Sequence, residues 1–261
     1  MDDNYQTYLI RVARMALPET YSSQVQHIQQ SPKFQPRPEG GRQAVPFPGY
    51  TVITPPSEEE SQNFAFYKNL FVCQQQLLQL PLDSGLIVPV PPASFHLTLA
   101  DLIWESAYHY ANEKSEFEVH LRHAIAQIFQ QNQQLMTQTN PLRWQILGLT
   151  VMPRAIGVCL IPKDENSYER ILKFRRTIYQ NPGLTSLGIE QHYHFTAHIT
   201  LGYFGDLSPN LDRDGFASTI LDLNQQWLKN SPEFCVHRAE LRKFDDMTRY
   251  YRKPDWPVLE F

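Results

Sequence analysis

Two segments of this chain repeat the same pattern of histidine, aliphatic residue, threonine and leucine. The first is His96–Leu99 and the second is His198–Leu201, so the two histidines stand 102 positions apart (198 minus 96). Each half around them is predicted to run strand, helix, strand, helix, strand, with the pattern in its middle strand. An internal repeat limits the architecture more than any single element does. We therefore expect two related halves, about residues 49–152 and 153–250.

The repeated pattern is typical of a strand with one polar and one packed face. Successive side chains of a strand point to opposite faces, so each histidine shares a face with the threonine two residues later. The alternation in the second copy extends over residues 192–204. The polar faces are predicted to carry Ser94, His96 and Thr98 in the first copy and His192, His194, Thr196, His198 and Thr200 in the second. The packed face of the second is predicted to carry Tyr193, Phe195, Ala197, Ile199, Leu201 and Tyr203.

Imidazole and hydroxyl groups, presented once by each half, suit the cleavage of a phosphodiester. That reaction needs a base for the attacking oxygen and an acid for the leaving oxygen, and an imidazole with a pKa of about 6.5 can serve as either near neutral pH. Threonine hydroxyls can donate hydrogen bonds to the non-bridging oxygens as charge develops there. These four side chains would carry out the reaction without a metal or another cofactor.

The paired strands FHLTL and AHITLGYF, at this separation and in this repeat, resemble the 2H phosphoesterase superfamily, which includes RNA ligase/2′,3′-cyclic phosphodiesterases. The resemblance covers roughly residues 47–250 and is strongest to a bacterial branch labelled as a domain of unknown function. It implies an α+β fold of two pseudo-symmetric lobes, each with an antiparallel sheet and flanking helices, around a central cleft. It also implies that His96 and His198 are the acid/base pair and that Thr98 and Thr200 bind the phosphate.

The second segment contains a competing pattern, because His194 and Thr196 have the same spacing as His198 and Thr200. We select His198 because Leu follows its threonine, as in the first copy. His194 and Tyr203 are then candidates for the border of the site. Convergence of His192, His194 and His198 on zinc is a further hypothesis, disfavoured because all three lie on one segment without a carboxylate.

Other side chains beyond the motifs have two interpretations. Trp104, Tyr203 and Phe204 could stack on a nucleobase, although core packing is the more common role of such residues. Arg154, in the predicted turn between the halves, is a candidate phosphate contact.

The composition limits the binding partners and the cellular compartment that we expect for this protein. With 23 Lys and Arg against 27 Asp and Glu, the net charge of −4 argues against a protein that binds duplex DNA through its phosphates. The three cysteines have neither disulfide-framework nor zinc-ribbon spacing, which is typical of a reducing compartment. The start of the chain lacks a signal-peptide pattern, and no apolar run reaches 18 residues. We expect a cytoplasmic monomer that binds no membrane.

The first 48 residues precede the repeat. They show helix-like periodicity broken at Pro18 and then a segment dense in Pro and Gly. We interpret residues 1–48 as a helical and Pro-rich N-terminal extension and residues 49–261 as one bilobal domain. The Pro- and Gly-rich segment of residues 31–49 is interpreted as a linker or wrapping arm without chemistry.

The sequence thus predicts an enzyme, a metal-independent phosphodiesterase that opens a cyclic phosphate on a small nucleotide or at an RNA end. A module that binds a nucleotide or phosphorylated ligand without turnover is the alternative, and a histidine-rich metal hydrolase is a third reading. The pattern leaves open the natural substrate, hydrolysis against ligation, and which histidine is the base.

Overall fold

A computed structural model describes residues 2–80, 85–135, 141–227 and 231–261. The helices are α1 (Tyr5–Met15), α2 (Pro18–Gln26), α3 (Phe64–Leu78), α4 (Glu105–Asn112), α5 (Phe117–Leu135), α6 (Glu165–Tyr179), α7 (Pro182–Ser186) and α8 (Arg213–Trp227). The strands are β1 (Phe34–Pro36), β2 (Arg42–Ala44), β3 (Gly49–Ile53), β4 (Ile87–Pro89), β5 (Thr98–Trp104), β6 (Leu142–Met152), β7 (Ala155–Pro162), β8 (His198–Phe204), β9 (Phe234–Val236), β10 (Arg238–Phe244), β11 (Tyr250–Tyr251) and β12 (Val258–Glu260).

Two antiparallel five-stranded sheets carry the fold. The first has the order β11-β10-β3-β5, with β12 also paired to β10, and the second has the order β4-β8-β7-β6-β9. Strands β1 and β2 form a separate hairpin. The predicted α+β fold with two sheet-containing lobes is confirmed, and one motif strand, β5 or β8, lies in each sheet.

The two lobes are not the two halves of the sequence. Strand β6 ends the first half but pairs with β7 of the second, and β10 ends the second half but pairs with β3 of the first. The reason is local for β6, because only Pro153 and Arg154 separate it from β7 and a two-residue turn favours an antiparallel hairpin. Each lobe therefore contains the last strand of the other half of the sequence. The chain connects the two lobes covalently through both of these strands.

Each motif strand contains a register shift at the same place. Val52 pairs with Ala100 and Ile53 with Thr98, so Leu99 is passed over. In β8, Ile156 pairs with Gly202 and Gly157 with Thr200, so Leu201 is passed over. Such a bulge shifts the alternation of faces by one residue. As a result Asp101 follows Thr98 on the polar face, and Tyr203 follows Thr200. The prediction that Tyr203 lies on the packed face is therefore wrong.

Buried polar side chains bind the carbonyl groups at the two bulges. Arg175 of α6 donates to the Leu99 carbonyl at 2.5 Å, and Gln74 of α3 donates to the Leu201 carbonyl at 2.7 Å. Both side chains are buried. The Leu201 carbonyl also accepts from the Val90 amide at 3.2 Å. Hydrogen bonds to buried carbonyls stabilise the backbone around each bulge.

The N-terminal residues are part of the core rather than a separate extension. The predicted break at Pro18 is present between α1 and α2. Tyr8, Val12, Tyr21 and Val25 are fully buried, at the spacing of four that places side chains on one helix face. The hydroxyl of Tyr8 donates to the Leu160 carbonyl at 2.9 Å and so joins α1 to β7. The domain boundary that we placed at residue 48 does not separate two units.

Three smaller observations concern the remaining sequence predictions. Cys73, Cys159 and Cys235 are free thiols; the first two are buried and the third is half-buried. Burial raises the pKa of the Cys73 and Cys159 thiols to about 12. Among the described residues, no helix combines the length and apolar character needed to cross a bilayer.

Candidate functional site

All four side chains of the repeated pattern line one cleft. The cavity has a volume of about 890 Å³, and both motif strands contribute to its wall. The first copy contributes Ser94 and His96, which precede β5, and Thr98, the first residue of β5. The second copy contributes His198, Thr200 and Tyr203 of β8. The two halves of the sequence therefore bring their equivalent residues to a shared space.

The two histidine rings are oriented in the same way. Nδ1 of His96 lies 2.7 Å from the Ser94 carbonyl, and Nδ1 of His198 lies 2.8 Å from the Thr196 carbonyl. A carbonyl only accepts hydrogen bonds, so each Nδ1 carries the proton. In the neutral ring Nε2 is then the acceptor, and in the charged ring it is a second donor. This is the arrangement that a general base and a general acid require.

The electrostatic environment of His96 favours its neutral form. Burial lowers the pKa of His96 to about 4, against the raising effect of its bond to the Ser94 carbonyl. The charges of His198 and Arg242 lower this pKa further. The ring of Tyr250 packs at 4.2 Å between centroids and covers His96. His96 is accordingly a neutral imidazole at pH 7, with Nε2 able to accept a proton.

The segment before His198 is held by the N-terminus of the chain. Arg11 of α1 donates to the Thr196 hydroxyl at 2.7 Å and to the Phe195 carbonyl at 2.6 Å. Asp2 accepts a bond from the Phe195 amide at 2.6 Å and pairs with buried Arg175 at 2.8 Å. Because the Thr196 carbonyl orients the ring of His198, these residues fix the direction of that ring.

These contacts also explain why the predicted strand over residues 192–204 is wrong before His198. Backbone groups of residues 195 and 196 bond to Asp2, Arg11 and the His198 ring, so the ladder begins only at residue 198. His194 is 61% exposed in its side chain, and its Nδ1 lies 3.6 Å from the Asp3 carboxylate. It lines no part of the cleft, so the prediction that it borders the site is wrong.

The segment before His96 has a different support. Residues 92–94 form a short 3₁₀ turn in which the Ser94 amide bonds to the Pro91 carbonyl at 2.9 Å. The amide of Leu97 donates to the Thr54 hydroxyl at 3.0 Å. This motif is therefore held by neighbouring residues of its own half.

Of the aromatic and basic residues that the sequence suggests as ligand contacts, some line the cleft and one is buried in the core. Tyr203, Trp104 and Arg154 line the cleft, whereas Phe204 is fully buried in the core and cannot stack on a ligand. The sequence predictions missed Lys33, Phe47, Asp101 and Glu105, which also line it. Lys33 and Phe47 lie in the segment interpreted as an extension, and Asp101 reaches the cleft through the bulge, which has no signature in the sequence.

The zinc hypothesis is not supported by the positions of its histidines. His194 points to Asp3, His192 packs against Trp104 at 5.0 Å between ring centroids, and His198 lines the cleft. Within the described ranges, no group of three or more His, Cys, Asp or Glu side chains is arranged to hold a metal ion.

A family model and several solved structures are similar to this chain. A family model labelled 2H-phosphodiest, described as a domain of unknown function (DUF1868), matches residues 37–153. The crystal structure of a conserved protein of unknown function, ATU0111 from Agrobacterium tumefaciens str. C58, aligns with a TM-score of 0.60 and 16% identity. That alignment covers 89% of this chain and 96% of that protein, which shows that the two share a fold.

Two further structures align with lower scores. TT0787 of Thermus thermophilus has a TM-score of 0.47 and 17% identity over 81% of this chain and 94% of its own. LigT of E. coli complexed with 3′-AMP has a TM-score of 0.46 and 12% identity over 82% and 98%. No curated protein matches the chain. The family model confirms the resemblance to the 2H phosphoesterase superfamily that the two motifs indicate.

Proposed function

We propose that this protein, which resembles the 2H phosphoesterases in sequence and fold, hydrolyses a 2′,3′-cyclic phosphate on a small nucleotide or at the end of a short RNA. The family model that covers residues 37–153 supports a phosphoesterase-type function. The observation that carries the proposal is the pair of histidines that line one cleft with their Nδ1 atoms bonded to carbonyls, each beside a threonine hydroxyl.

In this reaction His96 is the general base and His198 is the general acid. Nε2 of His96 takes a proton from water as the water oxygen forms a bond to phosphorus. The bond from phosphorus to one ribose oxygen breaks, and Nε2 of protonated His198 gives a proton to that oxygen. The roles follow from the burial of His96, which lowers its pKa to about 4 and keeps the ring neutral before the reaction.

The threonines stabilise the phosphate. Thr98 and Thr200 lie two residues beyond the histidines and line the same cavity. Their hydroxyls donate to the two non-bridging oxygens, whose negative charge grows in the transition state. The two proton transfers and the charge stabilisation are supplied by side chains, so the proposed reaction proceeds without a metal.

The direct test is hydrolysis of 2′,3′-cyclic nucleotides in the presence of EDTA. Removing an acid or base costs roughly 10²–10⁴-fold in rate. We expect losses of this size in kcat for His96→Ala and for His198→Ala. The matched control is His194→Ala, which removes the exposed histidine of the competing pattern and is expected to leave the rate unchanged.

Two outcomes would contradict the proposal. Activity that is unchanged in both His96→Ala and His198→Ala would reject the catalytic pair. Saturable binding of a cyclic nucleotide in calorimetry, without any product, would favour the binding module over the enzyme.

A further inference from the structure

The cleft contains a second group of side chains that the proposed reaction does not use. A volume of about 890 Å³ is larger than a cyclic phosphate fills, and much of the wall is formed by other residues. Asp101 and Tyr203 lie three residues beyond Thr98 and Thr200 on β5 and β8. Both residues line the cavity, and burial and the charge of Asp101 both raise the pKa of Tyr203. We call the part of the cavity wall beyond the two threonines, which these residues line, its second end.

Lys33 places a cation among aromatic rings at this end. Its ammonium lies 4.4 Å from the centre of the Phe47 ring and 5.3 Å from that of Tyr203, and 3.3 Å from the sulfur of Met247. Desolvation lowers the pKa of Lys33 to about 8. The amine is still mostly charged at neutral pH, and it can donate to a ligand that enters the cleft.

The charged residues that affect Lys33 are two carboxylates and a second cation. Asp101, Glu105 and Arg154 line the same cavity as Lys33. The two carboxylates raise the pKa of Lys33, and Arg154 lowers it. Glu105 has a φ of +52°, in the left-handed region that non-glycine residues rarely adopt, and its amide donates to the Pro48 carbonyl at 2.8 Å. This end of the cleft therefore offers both hydrogen-bond donors and acceptors.

Aromatic rings complete the wall. Trp104, Tyr203 and Phe47 line the cavity together with the exposed ring of Tyr193 at its rim. Flat aromatic surfaces suit a flat ligand group, because base stacking on such side chains is worth about 1–3 kcal/mol per base. A second phosphate would use the charges but not the ring faces.

We infer that this end of the cleft is a nucleobase pocket selective for guanine, in which Lys33 donates to the base and Asp101 and Glu105 accept from it. Guanine carries an acceptor, O6, next to two donors, the N1 proton and the N2 amino group. Guanine can therefore accept a hydrogen bond from the Lys33 ammonium at O6 and at the same time donate hydrogen bonds from N1 and N2 to a carboxylate. Adenine reverses the pattern, because its amino group faces the cation and its N1 lone pair faces the carboxylate, and unsatisfied buried groups are costly.

This inference rests on the proposed function and names its substrate class. The first measurement is kcat/KM for the four 2′,3′-cyclic nucleotides of guanosine, adenosine, cytidine and uridine. We expect at least a tenfold preference for guanosine. Lys33→Met and Asp101→Asn should each reduce that preference by at least tenfold, whereas Lys33→Arg should retain most of it. The control Lys173→Met, at an exposed lysine on α6, should retain all of it.

A binding measurement separates failure of the pocket from failure of the reaction. Calorimetry with the 3′-monophosphates of the four nucleosides reports base preference without turnover. Hydrolysis with equal kcat/KM for the four bases, or a preference that both variants leave intact, would overturn the guanine pocket and uphold the reaction. Tight binding of guanosine 3′-monophosphate alone, with no hydrolysis of any substrate, would uphold the pocket and overturn the reaction.

Discussion

The two copies of the pattern place equivalent side chains in one cleft, but different parts of the chain support them. His96 is oriented by a 3₁₀ turn beside it and is covered by Tyr250. His198 is oriented by a segment that α1 holds through Arg11. A duplicated sequence has thus acquired two environments, and environment sets the pKa of an imidazole. Unequal surroundings let two chemically identical side chains take opposite roles.

The largest effect after loss of a histidine is expected from the threonines. Thr98→Val and Thr200→Val keep the shape of the side chain and remove the hydroxyl. Loss of one donor to a developing oxyanion costs roughly 10²–10³-fold in kcat. We expect losses of similar size for the two variants, measured on a 2′,3′-cyclic nucleotide, because the hydroxyls have equivalent places. A loss confined to one variant would show that the phosphate is bound by one lobe alone.

A smaller effect is expected from Arg11, which acts through the orientation of His198. Misplacement of a catalytic group by about 1 Å can cost 10²-fold in rate. We expect Arg11→Ala to lower kcat by roughly tenfold and to change KM little, with partial recovery in Arg11→Lys. The control is Arg14→Ala, which removes an exposed arginine of the same helix. A rise in KM with unchanged kcat would show that Arg11 does not position His198.

The smallest effect concerns stability. A histidine has a pKa of about 6.5 in the unfolded chain, and burial lowers that of His96 to about 4 in the folded protein. Between these values the unfolded chain binds more protons, so the free energy of unfolding falls as the pH is lowered from about 6.5 to about 4. His96→Gln should weaken this fall by up to about 3 kcal/mol at pH 4.

The measurement is the urea midpoint between pH 4 and pH 7, compared with His109→Gln at an exposed histidine of α4. Contributions from all other groups are common to the variants, so the difference isolates His96. The same pH dependence in His96→Gln as in the wild type would mean that His96 titrates normally in the folded protein.

Local features of the fold follow from the sequence, and long-range ones do not. Strands β3 and β6 coincide with the apolar runs GYTVI and LRWQILGLTVM of the sequence, each of which has turn residues beside it. The bulges at Leu99 and Leu201 carry no sequence signal, since the side chains that donate to their carbonyls, Gln74 of α3 and Arg175 of α6, are distant in the sequence. The alternation therefore predicts the histidines and threonines on the cleft but misplaces Tyr203 and misses Asp101.

The N-terminal residues also show that the sequence does not predict long-range contacts. The composition of residues 31–49 is that of a linker, yet Lys33 and Phe47 line the cleft. Their positions depend on contacts with Tyr203 and Met247, which lie far away in the sequence. Similarly, Arg11 is an ordinary helix residue by sequence, and only its bonds to residues 195 and 196 indicate a role.

The most direct test of unequal histidines is the response to a better leaving group. 2′-Deoxyguanosine 3′-(4-nitrophenyl phosphate) releases nitrophenolate, which needs no proton, and lacks the 2′-hydroxyl that could replace water. Relative to the cyclic nucleotide, this substrate should recover most of the activity of His198→Ala and little of that of His96→Ala. The opposite recovery, or equal recovery in both variants, would contradict the assignment of His96 as base and His198 as acid.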